Sequence, residues 1–302
     1  MSALVLQQGV VQWEHGFGRA DIDSALPARP DTPYLIGGLS QTFGATLLLK
    51  KCVDESFATW NDPVQRWVPG FPEPATTLAH LLAHIAPNRL FKYDLGRFSI
   101  LTSVIEECAD TPYRKLLDEE IFEQFAMIDS APGTASAVPS LEDRALFDER
   151  RLAQLASVVR NMATPYSVDS RGRATRTSLP PAGVDASRGI VSTVRDLARF
   201  DARLRKDLLL EPATLQRAWT RVDPTLPTGL GWFVQDYNGT RIVWQFGIVQ
   251  NAYSSLIVKV PDRELTFILL ANSDSLTAPF ALDTGDVTAS VFARLFLRLY
   301  LP

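Results

Sequence analysis

The sequence predicts an α+β fold: an antiparallel five-stranded sheet flanked by helices, with an inserted all-α lobe. Three observations point to it. Strand-like alternation occurs at both ends of the chain, in "ALVLQQGVVQWEHGFGRA" near the start and in four apolar runs between 229 and 272. The stretch 55–190 instead reads as helices broken by proline-rich loops. Between the two, residues 40–54 carry apolar side chains around most of a helix, as a helix buried in a core does. The chain 1–302 then forms a single domain of two lobes, with 1–54 and 191–302 in the α/β lobe and 55–190 in the helical lobe.

The elements follow in order. Val11, Trp13 and His15 alternate at strand spacing after a glycine, which makes residues 3–20 a β-hairpin. "PEPATTLAHLLAHIAP", "GRFSILTSVIEECAD" and "TPYRKLLDEEIFEQF" supply the helices of the inserted lobe. Thr193 stands where it can cap "VRDLARFDARL", with Asp196 at capping-box spacing. Asn238-Gly239 between two apolar runs is a strong hairpin signal, and the turn explains the Asn-Gly-Thr triplet better than a glycosylation site does. "AYSSLIVKV" and "ELTFILLAN" are two further strands joined at "PDR", and "VTASVFARLFLRLY" closes the chain as an apolar helix.

Composition narrows the function. With 46% hydrophobic residues the chain can bury an enzyme-sized core, and a formal net charge of −4 without Lys/Arg blocks argues against a nucleic-acid surface. "RDLARFDARLRK" mixes both signs as a solvated helix face would. No window reaches the apolar length of a membrane span, and the opening residues show neither a basic start nor a long apolar core of an export signal, so the compartment is left open. Cys52 and Cys108 lie in apolar helical patterns and read as buried free thiols. His80 and His84, four apart, could share a metal on one helix face, but without a His-Glu-x-x-His frame they read as core or hydrogen-bonding histidines, so no metal or cofactor is expected. Trp60, Trp67, Trp219, Trp232 and Trp244 read as core.

Four stretches together resemble the serine β-lactamase-like family, which includes class C β-lactamases, penicillin-binding DD-peptidases and esterases. They are "FGRADID…RPDTPYLIGGLSQTF", "NDPVQRWVPGFPEPATTLAHLLAHIAP", "GIVSTVRDLARF" and "GLGWFVQDYNGTRIVWQFG…YSSLIVKVPDRELTFILLANSD", in family order over nearly the whole chain. The resemblance implies a cleft between the lobes holding three elements: Ser-x-x-Lys at the start of the core helix, Tyr-x-Asn on a loop, and Lys-Thr-Gly or His-x-Gly on a strand. This sequence departs from all three. Gly38 stands at the nucleophile and Gln41 at the lysine; in "FKYDLGRF" Tyr93 keeps the phenol, while Asp94 fills the middle and Leu95 replaces the Asn; in "WQFG" Gln245 replaces the basic residue and Gly247 remains. Gly38 cannot attack a carbonyl and Gln41 cannot accept a proton near neutral pH.

Ser40 is the nearest hydroxyl, but Phe43 stands three residues on, so a shifted frame supplies no base. Asp94 could activate a water or be a solvated or capping residue on its loop. The backbone N–H groups of Gly38 and Ile248 could still face an anion-sized pocket, unless Phe246, Leu95 and Phe91 have filled it. The resemblance therefore implies a catalytically inactive homologue with a binding, assembly or regulatory role, its ligand pocket formed by Gly38, Gln41, Tyr93, Asp94, Gln245, Gly247 and Ile248, and its partner either a small acyl- or peptide-like ligand or a protein. The alternative is a hydrolase or acyl transferase with a non-standard nucleophile or an activated water. Family members begin with a helix ahead of the first hairpin; without it Phe292, Leu295, Phe296 and Leu299 would either form a surface for a partner or a second copy, or cover the sheet.

Overall fold

The structure is a computed structural model that describes residues 1–179, 181–205 and 209–301. Its central sheet is antiparallel and runs in the order Phe233–Tyr237, Thr240–Val249, Tyr253–Val260, Leu265–Ala271, Ser2–Gln7, Val10–Gly16. It has six strands, one more than expected, within the mixed fold class that the sequence predicts. The first strand pairs with the last, Ser2 opposite Leu270 and Gln7 opposite Leu265, so the two ends of the chain meet inside one sheet.

Turn chemistry sets the hairpins. Asn238 and Gly239 both take positive φ (48° and 75°), as do Gln8 and Gly9 (52° and 74°), the combination that joins right-twisted strands through two residues. Period-two alternation then divides the strands between two cores. Leu4 and Leu6 join Val243, Ile257, Ile268 and the core helix on one face. Ala3 and Val5 join Trp244, Phe246 and Leu269 on the other, under Phe296 and Leu297 of the C-terminal helix Val291–Tyr300.

The expected core helix begins as a tight turn, Gly37–Ser40, continues as the α-helix Gln41–Leu48 and widens over Leu49–Asp54. Every residue from Gly37 to Leu49 is buried, which explains the apolar residues around its circumference. Against it packs Leu101–Ala109, and that contact corrects one expectation: Cys52 and Cys108 are joined as a disulfide, their Cα atoms 5.5 Å apart. Two apolar helical patterns concealed a pair of facing positions.

Helix Val194–Arg205 lies on the first strand and on Leu265–Ala271. Thr193 caps it as expected, its hydroxyl accepting the Asp196 N–H at 3.1 Å. Asp196 does not close a capping box; its carboxylate accepts from the Ser130 hydroxyl and the Asp129 N–H. The helix is not a uniformly solvated face either, since Asp196 and Asp201 are both fully buried. Lys206, in the same charged stretch, lies outside the described residues. Asp201 meets Lys259, itself fully buried, at 2.6 Å, and Arg205 binds its other oxygen at 3.1 Å. The Lys259 ammonium lies over Trp219 and Trp232, 4.1 and 4.9 Å from the ring centroids. These two tryptophans and Trp244 are core residues, as predicted, and Trp60 and Trp67 pack on the core half-buried.

On the C-terminal helix Leu295 and Leu299 are exposed (60% and 68%), whereas Phe296 is buried against the sheet. The outcome is divided: Phe296 covers the sheet, and the leucines rim a groove of about 350 Å³ with Trp13 and Phe17. Among the described residues no helix is long and apolar enough to cross a membrane, and no group of His, Cys, Asp and Glu could hold a metal ion.

Candidate functional site

Gly38 sits in the turn that opens the core helix, facing the sheet strand Thr240–Val249. A β-carbon built on it would lie 2.6 Å from the Tyr93 hydroxyl, 3.2 Å from the Phe246 carbonyl oxygen and 3.5 Å from a Leu95 methyl. The phenol thus occupies space that a side chain at position 38 would need. The opposing strand is equally close: a β-carbon on Gly247 would run into the Ile36 carbonyl, so this position also excludes a side chain.

A directed chain of hydrogen bonds fixes Tyr93. His84 Nδ1 accepts the Asp94 backbone N–H at 3.1 Å, so the neutral ring carries its proton on Nε2 and donates it to Gln41 Oε1 at 2.8 Å. Gln41 Nε2 then donates to the Tyr93 hydroxyl oxygen at 3.0 Å. Gln245 Nε2 reaches Gln41 Oε1 at 3.4 Å and the Gly231 carbonyl at 3.3 Å, and Gln245 Oε1 accepts the Phe246 N–H. Burial holds His84 down to about 3, so it stays neutral at physiological pH. Burial first, then the Asp283 charge, push the Tyr93 phenol well above its ordinary value, although its bond from Gln41 acts the other way. With its oxygen already accepting from Gln41, the phenol can still donate.

The cleft has two arms that meet at Gly38, Leu95 and Ile248. One, of about 630 Å³, continues past Gly37 to Val184, Asp185, Arg188 and Gln250. The other, of about 470 Å³, is walled by Tyr93, Phe246, Phe280 and Asp283. Of the seven predicted pocket residues, Gly38, Tyr93 and Ile248 line this cleft. Gln41 and Gln245 are buried beneath it and act through their hydrogen bonds. Gly247 lies behind Gly38, its Cα facing the Ile36 carbonyl and the Ser255 hydroxyl. Asp94 caps helix Leu95–Ser99, its Oδ1 accepting the Arg97 N–H at 3.0 Å. Ser40 turns away and accepts the Ile190 N–H in the core, while Phe43 stacks on Phe200.

His84 serves as the hydrogen-bonding residue that the sequence suggested. His80 is turned elsewhere, its Nδ1 accepting the Thr77 N–H and its Nε2 facing Arg89. Leu95 and Phe246 narrow the cleft as expected but do not close it. Sequence reasoning missed Phe280 and Asp283, which enter on the irregular segment after the last strand, and Asp185 with Arg188, which follow another loop; neither stretch carries a periodic signal or a motif.

Comparison with known proteins places this geometry. The family model described as Beta-lactamase matches residues 1–290. The chain belongs to this family. It is 22% identical over 322 aligned residues to penicillin-binding protein 4* of Bacillus subtilis, covering 91% of this chain and 68% of that protein. The D-amino acid amidase of Ochrobactrum anthropi, in its L-phenylalanine amide complex, superposes with a TM-score of 0.77 at 18% identity, covering 99% of this chain and 93% of the amidase. An octameric penicillin-binding protein homologue from Pyrococcus abyssi gives the same TM-score at 19% identity, covering 99% of this chain and 73% of its own. The serine β-lactamase/penicillin-binding protein fold is thereby established, and relatives within it are hydrolases.

Proposed function

We propose that this chain is a non-covalent binding member of its family, one domain spanning 1–302 in which acyl transfer has been lost and the interlobe cleft retained. The observation that carries this reading is the Gly38–Tyr93 contact: the nucleophile position has no side chain, and a phenol held by Gln41 takes up its space. Gln41 accepts from His84 and donates to Tyr93, and no atom of it is basic. Tyr93 is a poor replacement nucleophile, since its pKa is raised and among the described residues no base touches its hydroxyl. Asp94, the candidate to activate water, spends its carboxylate on a helix cap. A small acyl- or peptide-like ligand would enter where the two arms meet, using the backbone N–H groups of Gly38 and Ile248 and the Tyr93 hydroxyl as donors.

The names of the relatives favour the other reading, hydrolysis by an unassigned nucleophile or water, so the test measures turnover. The purified protein is incubated with a chromogenic β-lactam, a p-nitrophenyl ester, phenylalanine amide and a fluorescent penicillin. The expected result is no turnover above buffer and no covalent label. Robust turnover that disappears in Tyr93→Phe would overturn the proposal.

A further inference from the structure

The arm of the cleft beyond Tyr93 has a chemistry of its own. Its wall combines three aromatic rings, Tyr93, Phe246 and Phe280, with the Asp283 carboxylate, and among the described residues no other charged side chain and no Lys, Arg or His lines it. Tyr93 and Phe246 stack on each other, their centroids 5.2 Å apart and their planes inclined by 27°, so this wall is rigid and apolar. Asp283 is exposed at the mouth, and among the described residues it makes no ion pair or side-chain hydrogen bond. Its charge is felt by the Tyr93 phenol, which remains a neutral ring with an electron-rich face.

We propose that this arm is a binding site for an ammonium group carried on an apolar body, the charge held by Asp283 at the mouth and the body by the aromatic wall of Tyr93, Phe246 and Phe280. Aromatic faces attract a cation through their quadrupole, and an adjacent carboxylate adds direct attraction in a partly desolvated setting. The same wall repels a carboxylate, for which it offers a negative charge and no cation. An anionic group on the same ligand would be directed to the other arm, where Arg188 stands beside Asp185 at 3.4 Å. With a volume of about 470 Å³ the site accommodates a substituted benzyl or alkyl amine. The inference rests on reading the cleft as a binding site, and it names the ligand class.

Four probes of one shape test it by calorimetry on the full chain: benzyltrimethylammonium, benzylamine, benzyl alcohol and benzoate. The two cations are expected to bind at least tenfold more tightly than the alcohol, benzoate more weakly than either, and added salt is expected to reduce the difference. Asp283→Asn, an exposed and nearly isosteric change, is expected to erase most of the preference. The proposal is overturned if the alcohol or benzoate binds as well as the cations, if the preference survives in Asp283→Asn, or if no cation binds up to its solubility limit. None of these outcomes bears on whether the protein turns over an ester or a lactam, so the two proposals fail separately.

Discussion

The Tyr93 hydroxyl stands 2.6 Å from the point where a β-carbon on residue 38 would be placed. Glycine and phenol are therefore complementary: each position is filled only because the other leaves room. A serine at position 38 would need Tyr93 to move and to break its bond from Gln41.

A double-mutant cycle reads this directly. Gly38→Ala is expected to destabilise the protein by about 1–3 kcal/mol through overpacking, and Tyr93→Phe by about 1 kcal/mol through the lost hydrogen bond. The double variant should be less destabilised than the sum by about 1 kcal/mol, since phenylalanine leaves room for the methyl group. Urea unfolding measures all four corners. Simple additivity would show that the hydroxyl yields without cost.

His84 predicts a pH dependence. Its folded-state value of about 3 lies below the ordinary 6.5, so between the two the unfolded chain binds a proton that the folded chain refuses. Its contribution is complete above pH 6.5 and declines as the pH falls towards 3, by about 1.4 kcal/mol per pH unit. Urea midpoints from pH 7 to 4.5 should fall less steeply in His84→Gln than in the parent protein. Parallel curves would assign the slope to other groups.

The buried pair of Lys259 and Asp201 predicts an asymmetry. Asp201→Ala leaves Lys259 and Arg205 facing each other without an anion and should cost about 3–5 kcal/mol. Lys259→Met leaves Asp201 bonded to Arg205 and Thr266 and should cost much less. Chemical denaturation of the two variants gives the comparison, and equal losses would contradict it.

Cys52 and Cys108 close a loop over a sequence separation of 56, a constraint expected to contribute about 4 kcal/mol. A phosphine reductant should lower the urea midpoint of the parent protein and leave that of a Cys52→Ala/Cys108→Ala variant unchanged.

The features legible in the sequence were those with a local physical signature. The Asn238-Gly239 turn, the alternation of Val11 and Trp13, and the apolar circumference of Gln41–Leu48 each follow from backbone geometry and burial within a few residues. The places of Gly38 and Gln41 at the start of the core helix were legible because their flanks fixed the register. What was not legible depends on partners distant in sequence. The disulfide needs two helices laid side by side, the buried Asp201 of a helix meets Lys259 from a strand of the sheet, and Asp283 reaches the cleft on a loop without a pattern. The use of Asp94 as a helix cap was one of the readings open to the sequence, and the Arg97 N–H decides it.

The pairing of Ser2–Gln7 with Leu265–Ala271 bears on how the protein is made. Strand Ser2–Gln7 leaves the ribosome long before its inner neighbour Leu265–Ala271, so the hairpin Ser2–Gly16 waits, with one long edge unpaired, until that distant strand has been synthesised. The wall of the cleft opposite Gly38 comes from Thr240–Val249 and is equally late. No ligand can therefore assist early folding, and truncation before Leu265 leaves a sticky strand edge as well as an incomplete cleft.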